Sequence, residues 1–208
     1  DEDEEESKRL FNICRSKIHR FRFGVDTAFW CPAYEPEGDY VFSVGSDVNR
    51  DYPCLIDGCA TQPLKIVTKL KLEIPKHRKN IEVLAGSLHE PSISDIQLRD
   101  LYRRAKIIVV PVKNVFQPSG QSVTLQAMSS GRPVILTRTK GLWDRNIFVS
   151  GVNCILVPPK DPGALKEAID KLSNSPNLRK KIGKNARYTA IKHFGISRMN
   201  TDFETIVG

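Results

Sequence analysis

Ile107-Ile108-Val109-Val110-Pro111 is the stretch on which the fold turns. Four consecutive apolar residues, all β-branched and stopped by a proline, predict a strand buried on both faces, the habit of a central strand in a parallel sheet. Downstream, Phe116-Gln117-Pro118-Ser119-Gly120-Gln121-Ser122 feeds a helix expected over 122–130, which Gly131 stops. Val134-Ile135-Leu136-Thr137 is the next apolar run. Working outward, strand-like runs lie at 40–44, 64–68 and 81–84 before the central one and at 154–157 after it. Helices fit between and beyond them. One over 51–60 opens with Asp51 and Pro53, another over 94–105 with the Ser94/Gln97 capping box, and two more follow Asp161-Pro162 and Ser175-Pro176. A last helix is expected over 196–207. Strands and helices alternating through short connections predict an α/β fold. It is a Rossmann-like, doubly wound parallel sheet of six strands in the order 3-2-1-4-5-6.

Composition leaves room for this and excludes other classes. The chain has 208 residues, 40% hydrophobic and 27% charged, so it can bury a substantial core and is neither disordered nor fibrous. No apolar run approaches the roughly 20 residues of a membrane-spanning helix. The chain begins with Asp1 and not Met, and a longer natural protein is expected. The formal charge is +8; beyond the acidic run Asp1-Glu2-Asp3-Glu4-Glu5-Glu6 the rest holds 32 basic against 18 acidic residues, or +14. A domain this basic favours anionic partners: nucleotides, phosphorylated substrates, nucleic acid or anionic lipid. Its five scattered cysteines (14, 31, 54, 59 and 154) form no CxxC pair and read as reduced, structural thiols of a cytosolic protein, with no zinc site.

The first 38 residues differ from the rest. They hold the acidic run, a helix expected over 7–19, then Phe23-Gly24-Val25-Asp26-Thr27 and the turn-rich 31–38, and together they read as a lead-in or hinge. The division is therefore 1–38 as acidic helix and linker, 39–194 as the sheet domain, and 195–208 as a closing helix.

Open α/β sheets bind ligands beyond the carboxyl ends of their strands, at the switch in strand order. That directs attention to the loops after Val44, Leu84, Val110 and Thr137. The loop Ser119-Gly120-Gln121-Ser122 joins small residues to a helix N-terminus, where free amides and the positive end of the helix dipole attract anions. Composition alone describes an N-capping turn; its place at the sheet edge gives the anion site equal weight. After the first strand, Gly45-Ser46-Asp47-Val48-Asn49-Arg50-Asp51 holds a glycine that permits close backbone approach and an arginine whose planar fork suits phosphate. Taken alone, Arg50 reads first as a surface residue paired with Asp47 or Asp51. The basic segment Lys69 to Lys79 reads as a solvated loop before it reads as a phosphate or membrane contact. His19, His77, His89 and His193 stand in no catalytic pattern, and no Walker loop or dinucleotide glycine fingerprint occurs.

The run from Pro118-Ser119-Gly120-Gln121-Ser122 through Gln126-Ala127-Met128-Ser129-Ser130-Gly131-Arg132-Pro133-Val134-Ile135 resembles the signature of retaining GT-B glycosyltransferases of family 4. Gly24-Val25-Asp26 resembles that family's interdomain segment, and Val44-Gly45 with Arg50-Asp51 its phosphate-binding first loop. Leu101-Tyr102-Arg103-Arg104-Ala105 with Ile108-Val109-Val110-Pro111 resembles the helix and strand before the signature. The resemblance runs over about 20–208. It implies the C-terminal half of a GT-B fold: a donor domain that binds a nucleoside diphosphate sugar and transfers the sugar with retention to a carbohydrate or lipid-linked acceptor. An N-terminal domain of the same protein, outside these residues, would hold that acceptor.

By the same resemblance, Gly45, Ser46, Arg50, Ser119, Gly120, Gln121, Ser122 and Gln126 would hold the nucleotide sugar. Arg50 and the backbone at Gly120 and Gln121 would carry the catalysis. The chain departs from the pattern at three places. The family's two signature glutamates are replaced by Pro118 and Gln126, and the usual basic residue beside Gly45 is Ser46. Gln126 can still hydrogen-bond a ribose; Pro118 cannot contact the sugar in that way. The implied reaction needs no cofactor and no metal, no nucleic-acid partner is expected, and the location is cytoplasmic, with the positive charge admitting contact with the inner face of a membrane. Two rivals stand beside this reading: a catalytically degenerate nucleotide-binding or regulatory domain of the same fold, and an anionic-membrane or nucleic-acid module.

Overall fold

The computed structural model describes residues 17, 19, 22–33, 36–85 and 93–207. A six-stranded parallel sheet forms its centre: β1 (Val41–Val44), β2 (Leu64–Thr68), β3 (Ile81–Ala85), β4 (Ile107–Val110), β5 (Val134–Thr137) and β6 (Ile155–Val157). The order is β3-β2-β1-β4-β5-β6, as the alternation predicts. β1 pairs in parallel with β2 through Val41 and Leu64 and with β4 through Val41 and Ile107, which sets the switch point between β1 and β4. The helices are α1 (Tyr52–Gly58), α2 (Asp95–Arg104), α3 (Gln121–Ser129), α4 (Pro162–Ser173), α5 (Pro176–Phe194) and α6 (Ile196–Val207). The expected capping box at Ser94 is formed. Asp161 and Ser175 cap the two helices that open with proline.

Two apolar layers account for the double winding. Phe42, Ile108, Val110, Val134 and Leu136 point to one face and pack with Tyr102, Leu125, Met128 and Phe194. Val41, Ile107, Val109 and Ile135 point to the other and pack with Leu55, Leu165, Ile169 and Leu172. Every residue of β4 and β5 is buried, and each large aliphatic chain so buried stabilises the fold by about 1.5–3 kcal/mol.

Residues 25–37 are tied to this sheet domain. Val25 donates to Phe194 O and its own carbonyl accepts from Ile196 N, fixing the junction of α5 and α6. Trp30 is buried against the ring of Tyr102, and its carbonyl accepts from Ser129 Oγ and from Arg187. Glu37 pairs with Arg132 and Arg179. The helix expected over 7–19 lies outside the described residues apart from Lys17 and His19, and the loop after β3 lies outside them through residue 92. Cys31, Cys54, Cys59 and Cys154 are free thiols, and burial raises Cys54 to about 11 and Cys59 and Cys154 to about 12, which favours the protonated thiol at those three.

Candidate functional site

The loops after β1 and β4 meet above the switch point. Asp51 N donates to Pro111 O and Lys113 N to Asn49 O, so the two segments run antiparallel past each other. This pairing carries Arg50 inward. The guanidinium is not the surface group that the loop composition suggests: Arg50 is only 4% exposed. Two glycines make its channel. Gly45, at φ +147°, leaves no room for a side chain, because a Cβ there would lie 2.2 Å from Arg50 Nε. Gly120, at φ +77°, faces it from the other loop, where a Cβ would lie 3.0 Å from Arg50 Nη1 and 2.7 Å from Val110 Cγ1. Each glycine thus holds a backbone conformation and a space that other residues would close.

Asp47 lies over this channel. Its Oδ2 is 2.9 Å from Arg50 Nε, while Oδ1 accepts from Ser119 Oγ at 2.8 Å and from Asn49 N at 3.1 Å. The carboxylate is close to Arg50 by charge but off the N–H direction, so Nε makes no hydrogen bond among the described residues, and neither does Nη1. A buried guanidinium with two unmet donors is rare and costly unless an anion meets them.

Gly120 is the N-cap of α3 and contributes no side-chain cap, so the first amides of the helix, at Gln121, Ser122 and Val123, have no capping side chain. The helix starts one residue earlier than its sequence suggests, because the left-handed Gly120 turns the chain directly into it. Ser119 and Gln121 are half-buried and Ser122 is exposed. Ser46 faces away, toward the end of β2, where its hydroxyl accepts from Lys69 N at 2.9 Å. Gln126, one helical turn below the loop, has its Oε1 held by the hydroxyl of the fully buried Tyr102 at 3.1 Å. Burial raises the hydroxyl of Tyr102 well above the ordinary tyrosine range and raises that of Tyr52 too, so both remain donors; the Tyr52 hydroxyl donates to Gly45 O at 2.7 Å. Pro118 is exposed at the crest of the loop beside Gln117, whose Oε1 lies 3.5 Å from Asn49 Nδ2.

The structure thus brings together Gly45, Arg50, Ser119, Gly120, Gln121 and Ser122, sets Gln126 beneath them, and turns Ser46 aside. Sequence reasoning missed Asp47 and Tyr102. Asp47 was noticed only as a partner for Arg50, and nothing local joins Tyr102 to a residue 24 positions away. In the basic segment after β2, Arg78 is no free cation: it donates to Ile56 O, Cys59 O and Asn80 Oδ1 and ties that loop to α1. Among the described residues no group of three or more His, Cys, Asp or Glu is placed to hold a metal ion, and no helix is long and apolar enough to cross a membrane.

Comparison with known proteins agrees with this architecture. The chain is 28% identical over 198 residues to the MMP alpha-(1->4)-mannosyltransferase of Mycolicibacterium hassiacum, a match covering 88% of this chain and 46% of that protein. It spans less than half the length of the curated relatives it matches. Among solved structures, sucrose-phosphate synthase of Thermosynechococcus elongatus superposes with a TM-score of 0.77 at 19% identity, over 98% of this chain and 55% of that one. HepE of Anabaena, in complex with UDP-glucose, does so with a TM-score of 0.70 at 16% identity, over 89% and 56%. These likenesses show the GT-B glycosyltransferase fold. The profile of the glycosyl transferases group 1 family matches residues 70–189, more than half of the 208, and the chain belongs to that family.

Proposed function

We propose that this chain is the donor domain of a retaining, sugar-nucleotide-dependent hexosyltransferase, and that the donor's diphosphate sits between Arg50 and the amides of Gly120, Gln121 and Ser122. One observation carries the reading: Arg50 is buried between two glycines with Nε and Nη1 unmatched by any hydrogen bond among the described residues. A diphosphate entering there would meet those donors, the helix N-terminus and the hydroxyls of Ser119 and Ser122. Gln126, oriented by Tyr102, keeps its amide N–H groups for the ribose. Uridine nucleotides are the first probes to try, since the HepE neighbour holds UDP-glucose.

When the bond from the anomeric carbon to the diphosphate breaks, negative charge grows on the leaving phosphate oxygen. On this reading the guanidinium and the helix amides would stabilise that charge, with no divalent cation required. A carbohydrate or lipid-linked acceptor would be held by an N-terminal domain beyond this chain, in a cytoplasmic protein with access to the membrane face. The isolated 208 residues should therefore bind nucleotide without transferring sugar.

Pro118 favours a second reading, since it stands where the resemblance places a sugar-contacting glutamate: a degenerate domain that binds nucleotide without turnover. Thermal shift of the chain with a panel of nucleoside diphosphates tests the shared part. A ligand at a hundredfold excess over Kd should add about 2.7 kcal/mol of stability. No shift with any of them would reject both readings. Turnover by the full-length protein separates them.

A further inference from the structure

A second group of cations lies across the loop that follows β4. The loop 114–120 has two sides. One carries Gln117 and Ser119 toward Asn49 and Asp47. The other carries Asn114, Val115 and Phe116 toward the segment after β5. There Asn114 Oδ1 accepts from Lys140 N at 3.1 Å, Gly141 N donates to Val115 O at 2.8 Å, and the Lys140 ammonium lies 4.9 Å above the Phe116 ring. Behind this partition, at the carboxyl ends of β5 and β6, is an open cavity of about 500 Å³. Its walls include Arg138, Lys140 and Arg145, and no carboxylate lines it among the described residues. Arg145 donates to Leu142 O and Lys140 O, which curls the segment and fixes its own cation at the rim. The backbone of Arg138 is bound to Val157 O, yet its exposed guanidinium has no carboxylate partner among the described residues. Leu142 and Phe148 form a buried apolar floor.

Three cations over an apolar floor, with no Asp or Glu among the described lining residues, select an anion attached to an apolar or ring-like body. We propose that this cavity binds the phosphate or carboxylate of an organic anion and that, on the proposed transferase reading, this anion is the one group of the acceptor that reaches this chain from the N-terminal domain holding the rest of it. The shared wall explains the arrangement: a ligand in the cavity and a donor on Arg50 would lie on the two sides of one loop, with the crest at Pro118 and Gln117 between them. The cavity's chemistry stands without the transferase reading; only the identity of its ligand as acceptor rests on it.

The test is an amide NMR titration of the chain with phenyl phosphate, benzoate and neutral benzyl alcohol, each with and without UDP. Expected are shifts at Thr139–Leu142 and Phe148 for both anions, undiminished by UDP. Arg138→Ala and Lys140→Ala should each weaken that binding about tenfold, as loss of one charge-assisted contact does, while UDP affinity stays within about twofold. Benzyl alcohol should bind at least about tenfold more weakly than either anion. If one anion alone binds at the cavity, the source is a phosphate ester or a carboxylate accordingly. The proposal is overturned if the anions shift only Gly120–Ser122, if both substitutions leave affinity unchanged, or if benzyl alcohol binds equally well. Anion binding at the cavity with no UDP binding anywhere would uphold the cavity and reject the donor site.

Discussion

Two arginines are buried in this domain to nearly the same depth, and they are treated differently. Arg179 in α5 is 5% exposed; its Nη1 donates to Leu172 O at 2.6 Å and to Ser173 O at 3.0 Å, and its Nε to Glu37 Oε1 at 3.0 Å. It joins the end of α4, the start of α5 and the segment before β1. Arg50 is 4% exposed, yet among the described residues two of its nitrogens make no hydrogen bond, and the Asp47 carboxylate paired with it is misaligned. A guanidinium that has all its partners inside the chain is a staple. One that is buried without them costs stability, which a bound anion can return. On the proposed reading, the same residue type serves the fold at one end of the sheet and the ligand at the other.

The largest effect should come from breaking the staple. Arg179→Ala removes four internal contacts and leaves Glu37, a third exposed, without its main partner; unfolding should become easier by roughly 2–3 kcal/mol, read as a melting temperature lower by about 5–10 °C, with UDP affinity of the folded protein unchanged. Gly120→Val acts on both sides of the comparison. At φ +77° a β-branched residue is strained, and its Cβ would press on Val110, so a loss of about 1–3 kcal/mol in stability should accompany weakened binding. Arg50→Ala should reverse the pattern of Arg179→Ala: UDP affinity falls about ten- to a hundredfold, by 1.5–3 kcal/mol, while the melting temperature holds or rises. Equal losses of stability in the two arginine variants would erase the distinction.

Asp47→Asn sharpens it further and carries the opposite sign. The Asp47 carboxylate lies against Arg50 and Ser119, the groups assigned to the diphosphate. Removing its charge while keeping its acceptor to Ser119 should tighten UDP binding about three- to tenfold in calorimetry, the scale of one charge interaction of about 1 kcal/mol near a protein surface. Weaker binding would instead make Asp47 a support for Arg50. Gln126→Ala should matter least, at about 0.5–1.5 kcal/mol for a neutral hydrogen bond, with nucleosides that lack a ribose hydroxyl showing no further loss.

How far the sequence carried these conclusions differs between fold and site. The strands were legible because Ile107–Val110 and Val134–Leu136 are apolar at every position, as strands covered on both faces of a parallel sheet are. Helix starts were legible where a side chain caps them, at Ser94, Asp161 and Ser175. The start of α3 was read one residue late because its N-cap is a glycine in the left-handed region, a signal of backbone and not of side chain. At the site, both glycines and Arg50 could be picked out, but the burial of Arg50 could not. It depends on the antiparallel contact between Arg50 and Val112, which no local pattern encodes. The place of Asp47 over the channel and the hold of Tyr102 on Gln126 are tertiary in the same sense. So is the convergence of Arg138, Lys140 and Arg145, which are close in sequence but face one cavity only because the segment curls on the backbone carbonyls that Arg145 binds.

The claim that the Arg50 channel is the diphosphate seat is tested most directly by following backbone amides and the Arg50 Nε–H during a titration of the chain with UDP. The account predicts that the largest shifts fall on Gly120, Gln121 and Ser122, that the Arg50 Nε–H resonance moves with them on one binding curve, and that uridine without phosphates produces neither. A saturable UDP titration that leaves these four signals in place and moves others would contradict it.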